Sequence, residues 1–170
     1  LAVNKLATDG APGLLRALVR NNAGLAATGV ICDTHSAKAA HEAGVGATVT
    51  LTLGGKSGIP GDAPYQETFV VETLSDGKFV APGPYYGGRD MDMGPSACLR
   101  IGDVRVVVSS HKAQLADQSM YRYVGIEPTE QAILVNKSSV HFRDDIEPIA
   151  DKLLILEAPT ETPSGGAILP

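Results

Sequence analysis

The stretch Ala27-Thr28-Gly29-Val30-Ile31-Cys32-Asp33-Thr34-His35-Ser36-Ala37-Lys38-Ala39-Ala40-His41-Glu42-Ala43-Gly44, continued by Ala47-Thr48-Val49-Thr50-Leu51-Thr52-Leu53, decides the fold class. Ala27 to Cys32 reads as a buried strand. Asp33 or Thr34 can cap the helix that follows, whose Ala-rich body runs to His41 and stops at Gly44. Ala47 to Leu53 is a second strand, with β-branched residues at Thr48, Val49, Thr50 and Thr52. Strand, helix and strand with short links predict a parallel pair.

Upstream, Leu14, Leu15, Leu18 and Val19 repeat with helical period, with Arg16 and Arg20 on the other face, and Asn21 to Gly24 ends that helix. Asn4 to Pro12 is loop-like. Downstream, Gly54 to Pro64 is a Gly/Pro loop. Thr68 to Thr73 and Lys78 to Val80 read as strands joined across the turn Ser75-Asp76-Gly77, and Ala81 to Gly94 reads as a long loop. Cys98 to Ile101 and Val104 to Ser109 flank Gly102-Asp103, a two-residue hairpin turn with glycine first. Helical signals return at Leu115 to Val124 and at Pro128-Thr129-Glu130. Ala132 to Val135 is a short strand, Ser138 or Ser139 opens a helix towards Ile149, and Leu153 to Leu156 is the last strand. The expected architecture is one α/β domain over residues 1–158, followed by a Pro/Gly/Thr-rich tail at 159–170. Its mixed sheet starts parallel, carries antiparallel hairpins and is flanked by helices.

A chain of 170 residues buries a core without staples. Aromatics are 5% and Trp is absent, so the core is built from Val, Leu, Ile and Ala. The net charge of -5, with scattered basic residues, gives no counterion-release term on nucleic acid, which is set aside as a partner. The apolar runs are strand-sized and too short for a membrane span, and no signal peptide opens the chain. Cys32 and Cys98 read as two buried thiols of a reducing, cytoplasmic compartment.

Several motifs have competing readings. Gly54-Gly55-Lys56-Ser57 imitates a phosphate loop, but the glycine that spacing requires is Thr50, in mid-strand, so a tight turn remains, with Lys56 over a strand end. Asp90 and Asp92 among glycines can supply oxygen ligands to a hard cation or serve as Asx-turn residues. His35 and His41 fall on different helix faces, and His111 reads as a surface residue. The run Lys137-Ser138-Ser139-Val140-His141-Phe142-Arg143 leaves a strand and enters the expected helix. Free N–H groups at a helix start, two hydroxyls and up to three cationic side chains make an anion site. Plain serine capping, with the bases balancing Asp144, Asp145 and Glu147, accounts for the same residues.

Six stretches occur in an order that resembles the C-terminal domain of microcystinase C-like (MlrC-like) proteins, a family of bacterial metallopeptidases and hydrolases. They are Asp9 to Leu18, Ala43 to Lys56, Asp92 to Ala97, Val106 to Ser110 with Gln114 and Asp117, Gly125 to Pro128, and Lys137 to Arg143. The resemblance implies a catalytic metal, probably zinc in that family, held mainly by a preceding N-terminal domain, against which this domain closes a cleft for a small peptide or amide substrate. It points to Lys137, Ser138 and Arg143 for substrate contact, with Lys137 or Arg143 pairing a carboxylate. His141 would assist proton transfer or polarise a carbonyl, and Asp92 and Asp117 would orient. Alone the segment would be inactive. The family enters this domain through an Asp-Asn-Pro and glycine-rich loop, where this chain reads Val3-Asn4-Lys5-Leu6-Ala7-Thr8. The other class of function compatible with these residues is a non-catalytic module that binds a small anion or mediates assembly, including a homo-oligomer.

Overall fold

A computed structural model describes residues 2–4, 12–55, 63–138 and 140–156. The elements in chain order are β1 (Ala2–Asn4), α1 (Pro12–Arg20), β2 (Ala26–Cys32), α2 (Thr34–Ala43), β3 (Thr48–Leu53), β4 (Tyr65–Ser75), β5 (Lys78–Ala81) and β6 (Arg89–Asp92). They continue with β7 (Ser96–Ile101), β8 (Val104–Ser109), α3 (Ser119–Arg122), β9 (Ile133–Lys137) and β10 (Leu154–Leu156). Eight strands form one mixed sheet in the order β10-β1-β9-β2-β8-β7-β4-β3, and β5 and β6 pair in a separate ribbon. The α/β class with a mixed sheet is as the sequence predicts. The lone call on residues 159–170 as a tail lies outside the described residues.

The parallel pairs are not where the first strands suggested. β2 is parallel to β8 and β9, and β1 to β9 and β10. From β8 onward, each neighbour through β7 and β4 to β3 is antiparallel, so β3 runs against β2 with three strands between them. The helix after β2 is therefore no simple crossover to a parallel neighbour. The hydrophobic runs fix strands locally, but the partner of each strand is set by residues far along the chain.

Three further expectations change for physical reasons. β4 and β5 do not form a hairpin, because the chain turns away at Gly77 (φ +82). A Cβ there would lie 2.1 Å from the Gly94 carbonyl oxygen, and β5 pairs with β6 from the expected 81–94 loop. Helix α3 covers only Ser119–Arg122 of the expected 115–124, since the Asp117 and Asp145 carboxylates accept the Ser119 and Gln118 N–H groups and start it late. β1, within the stretch read as opening loop, is a short parallel strand. The 102–103 hairpin forms as expected, with Gly102 at φ +57. Asp33 caps α2 by accepting the Ser36 N–H, and Gly44 ends it.

Two cores flank the sheet. On one face, α1 and α2 cover Ala26, Ile31, Leu51, Phe69, Leu99, Val106 and Val108 with Leu15 and Ala40. On the other, the 113–126 segment and the turns after β9 bring Leu115, Met120, Tyr121, Phe142 and Ile146 onto Ala27, Cys98, Val107 and Leu134. Phe79 of the ribbon stacks on Tyr123 at 4.6 Å between centroids. Across the sheet, Glu72 holds Arg105 through two bonds of 2.7 and 3.0 Å. Burial raises the Glu72 pKa, but the Arg105 hydrogen bonds and charge outweigh it and hold the carboxyl below its usual value. Among the described residues, no helix is long and apolar enough to cross a membrane.

β2 carries the tightest constraint. A Cβ on Gly29 would meet the Val107 Cβ at 2.9 Å, whereas one on Gly24 meets nothing within 4 Å. Gly29→Ala should therefore destabilise the chain by roughly 1–3 kcal/mol through overpacking, and Gly24→Ala should be near neutral, as read from urea midpoints. Equal midpoints would remove the constraint. A second test concerns acid. Glu127 accepts from Arg122 at 2.7 Å and from the Thr129 hydroxyl at 2.9 Å, and the Arg122 bond above all lowers its pKa to about 2. A depressed carboxylate stabilises the fold above its unfolded pKa of about 4.3, and that contribution fades as pH falls towards the folded value. The stability gap between the wild type and Glu127→Gln should therefore be present at pH 7 and shrink between about pH 4.3 and 2.

Candidate functional site

The strand exits choose the edge at which a ligand can sit. β2 leaves its carboxyl end into α2 on the helical face, and α1, which follows β1, lies on that same face. β8 and β9 leave into the 113–126 and 141–149 segments on the opposite face. Neighbouring strands β9, β2 and β8 thus send their chains to alternate sides, which opens a crevice over their carboxyl ends, the place where open α/β sheets bind ligands. Gly54 and Gly55 follow the antiparallel β3 and stand at the other edge. Gly55 is a tight turn at φ +73, with no room for a Cβ beside Pro64, and Lys56 lies outside the described residues.

The 137–143 run lines this crevice in a form the sequence did not predict. No α-helix follows Ser138. His141–Arg143 and Glu147–Ile149 are short 3-10 turns, and Val140 sits at φ -141 with no side-chain cap. The helix-start anion site is therefore corrected. Pro148 lacks the N–H an interior helical position needs, and burial of Phe142 (1% exposed) fixes the first turn instead. Full burial of such a ring contributes about 2–3 kcal/mol. The exposed Arg143–Glu147 pair at 2.9 Å contributes well under about 1 kcal/mol. The apolar anchor wins, and it sets where His141 stands.

His141 is half-buried, its ring stacked on Tyr85 at 4.0 Å between centroids and 26° between planes. Tyr85 comes from the 82–88 loop, which the sequence reading passed over. Beside it, the Tyr86 hydroxyl donates to the Gln114 carbonyl oxygen at 2.7 Å. Burial, and secondarily Tyr85, holds the Tyr86 phenol above its usual pKa, so it stays a neutral donor. Ser138 is buried and faces Gln114 Nε2 at 3.5 Å. Lys137 is half-buried at the end of β9. Arg143 is exposed and turned to Glu147.

Asp117 is 1% exposed, and its carboxylate accepts the Gly83 and Ser119 N–H groups. It clamps the loop that bears Tyr85 and Tyr86. Gly83 is obligatory there, since a Cβ would lie 2.6 Å from Asp117 Oδ2. Asp92 Oδ1 accepts the Gly94 N–H at 2.8 Å, which makes it the Asx-turn residue rather than half of a cation site. Among the described residues no group of three His, Cys, Asp or Glu could hold a metal ion. The residues described here do not make a metal centre. Cys32 and Cys98 are free thiols. Burial, then Glu72, pushes the Cys98 thiol far above its usual pKa, which rules it out as a nucleophile.

With this geometry in place, the comparison with known proteins is decisive on kinship. A profile of the MlrC C-terminus matches residues 7–170. The chain belongs to the MlrC C-terminus family. A curated relative, microcystinase C of Sphingomonas sp., is 28% identical over 134 residues, which are 76% of this chain and 25% of that protein. The crystal structure of a candidate metallopeptidase from Mesorhizobium sp. BNC1 superposes with a TM-score of 0.81 at 25% identity, over 94% of this chain and 33% of that one. The MlrC C-terminus chain thus spans a quarter to a third of these relatives, and its setting is peptidase-related.

The clamp is testable by itself. Asp117→Ala leaves two buried N–H groups without an acceptor, at roughly 1–3 kcal/mol each, while Asp117→Asn keeps one oxygen and should lose about half as much. Urea denaturation should rank wild type, Asn and Ala in that order. Proteolysis within 82–88 should accelerate in the Ala variant, and an unchanged loop would refute the clamp.

Proposed function

We propose that this domain forms the substrate-binding wall of a metal-dependent peptide or amide hydrolase, within a protein longer than this chain. The metal, zinc in this reading, would be held by residues outside those described, so no step is routed through it here. The observation that carries the proposal is the crevice over β9, β2 and β8, lined by the 137–143 run, in a chain of the MlrC C-terminus family.

Each side chain has a task its setting allows. Lys137, at the end of β9, supplies a cation for a substrate carboxylate. Arg143 can join it, because leaving an exposed pair with Glu147 costs under about 1 kcal/mol. His141, its ring face held by Tyr85, presents its edge to the substrate carbonyl and polarises it. Ser138 with Gln114 shapes the floor between them. Asp117 keeps Tyr85 in place, and Asp92 orients its neighbour on β8.

The test uses the longer protein. Lys137→Ala and His141→Ala should each lower kcat/KM for a small peptide about tenfold or more, with fold and assembly state intact. Unchanged turnover, with only ligand affinity or oligomeric state altered, would make this a binding or assembly module instead. The 170-residue chain alone, with zinc added, should hydrolyse nothing. Hydrolysis by that chain would contradict the division of labour.

A further inference from the structure

His111 stands at the carboxyl end of β8, apart from the 137–143 wall, and its surroundings are built. Its backbone N–H donates to the Met93 carbonyl at 2.8 Å, and the Ser109 hydroxyl donates to the His111 carbonyl at 2.8 Å. The ring lies over Gly94, where a Cβ would come within 3.1 Å of Nε2 and Cε1. Gly94 adopts φ +62 and packs against Gly77, so two glycines clear the space the imidazole occupies.

The ring's polar contacts fix its tautomer. Nδ1 is 3.1 Å from the Asp92 carbonyl oxygen, and a carbonyl only accepts, so Nδ1 carries the proton. Nε2 is left as the basic nitrogen, on a side chain that is 59% exposed. The Asp92 carboxylate lies 3.6 Å from Nδ1, held in turn by the Gly94 N–H. A carboxylate behind Nδ1 favours the imidazolium that forms when Nε2 gains a proton. His141 differs: its ring is stacked on Tyr85, and no described residue hydrogen-bonds either nitrogen.

We propose that His111 is the proton carrier of this edge. Its Nε2 takes a proton from the attacking water as the new C–O bond forms, and returns it to the amide nitrogen as the C–N bond breaks. This rests on the reading that the β9-β2-β8 edge faces the scissile bond. One strand, β2, separates β8 from β9, so their ends stand roughly 10 Å apart, about the span of three extended residues. A short peptide can therefore meet His111 and the 137–143 wall together. The other titratable groups near His111 are Lys112 beside it, Asp33 and Cys32 at the end of β2, and His41 of α2, whose Nε2 contacts the Ser96 carbonyl at 3.0 Å.

In the longer protein, His111→Gln should lower kcat about 100-fold or more, leave KM within about twofold, and remove the acidic limb of the kcat–pH profile. Asp92→Asn keeps the carbonyl contact to Nδ1 and should reduce kcat less, moving that limb to lower pH. Long-range nitrogen–proton spectra, with His111 assigned by its loss in His111→Gln, should show the proton on Nδ1. If His111→Gln keeps the wild-type kcat and pH profile while Lys137→Ala and His141→Ala impair turnover, the proton-carrier role is wrong and the wall reading stands. If all three leave turnover intact, both are wrong. A proton on Nε2 overturns the assignment even where the variant fails to fold.

Discussion

β2 is hydrogen-bonded along both edges and covered on both faces, and Ala26 to Ile31 are all buried. A strand in that position cannot carry large or polar side chains without either a clash or an unpaired group, which is why it reads Ala-Ala-Thr-Gly-Val-Ile. Gly29 marks the limit of this constraint, since its Cα lies against Val107 and the β2–β8 register shifts just beyond Thr28. With β2 placed, β8 and β9 are its only available neighbours, and the two cores form on either side.

The crevice is a consequence of the same arrangement. Chains that leave β2 on one side and β8 and β9 on the other cannot close over the strand ends between them. What they leave open is lined by short turns, not helix ends. The lining is held by buried anchors beneath it: Phe142 under His141, Asp117 under the Tyr85 loop, and Gly94 under His111. Polar groups at the rim are thus positioned by apolar and backbone contacts that never meet the ligand.

The sequence carried the local elements well and their partners poorly. Periodicity located β2, α2, β3, β7 and β8 to within a few residues because each buries a face whose spacing is written in adjacent positions. It could not show that β5 pairs with β6, or that β3 runs against β2, because those pairings depend on Gly77 meeting Gly94 and on strands distant in the chain. The 137–143 run was visible from its composition, but its helix was not there. Pro148 argued against that helix from the sequence, and Phe142 was the hidden anchor. Tyr85 and His111 were missed for a common reason: each gains meaning only from a contact across the fold, with His141 and with Asp92.

The account's central claim is that the carboxyl edge of β9-β2-β8 faces the substrate. Hydrogen–deuterium exchange on the longer protein, with and without a non-hydrolysable peptide analogue, tests it most directly. The account predicts added protection within 82–88, 110–114 and 137–143. Protection confined to the opposite edge, around 54–55, 102–103 and 128–132, would contradict it.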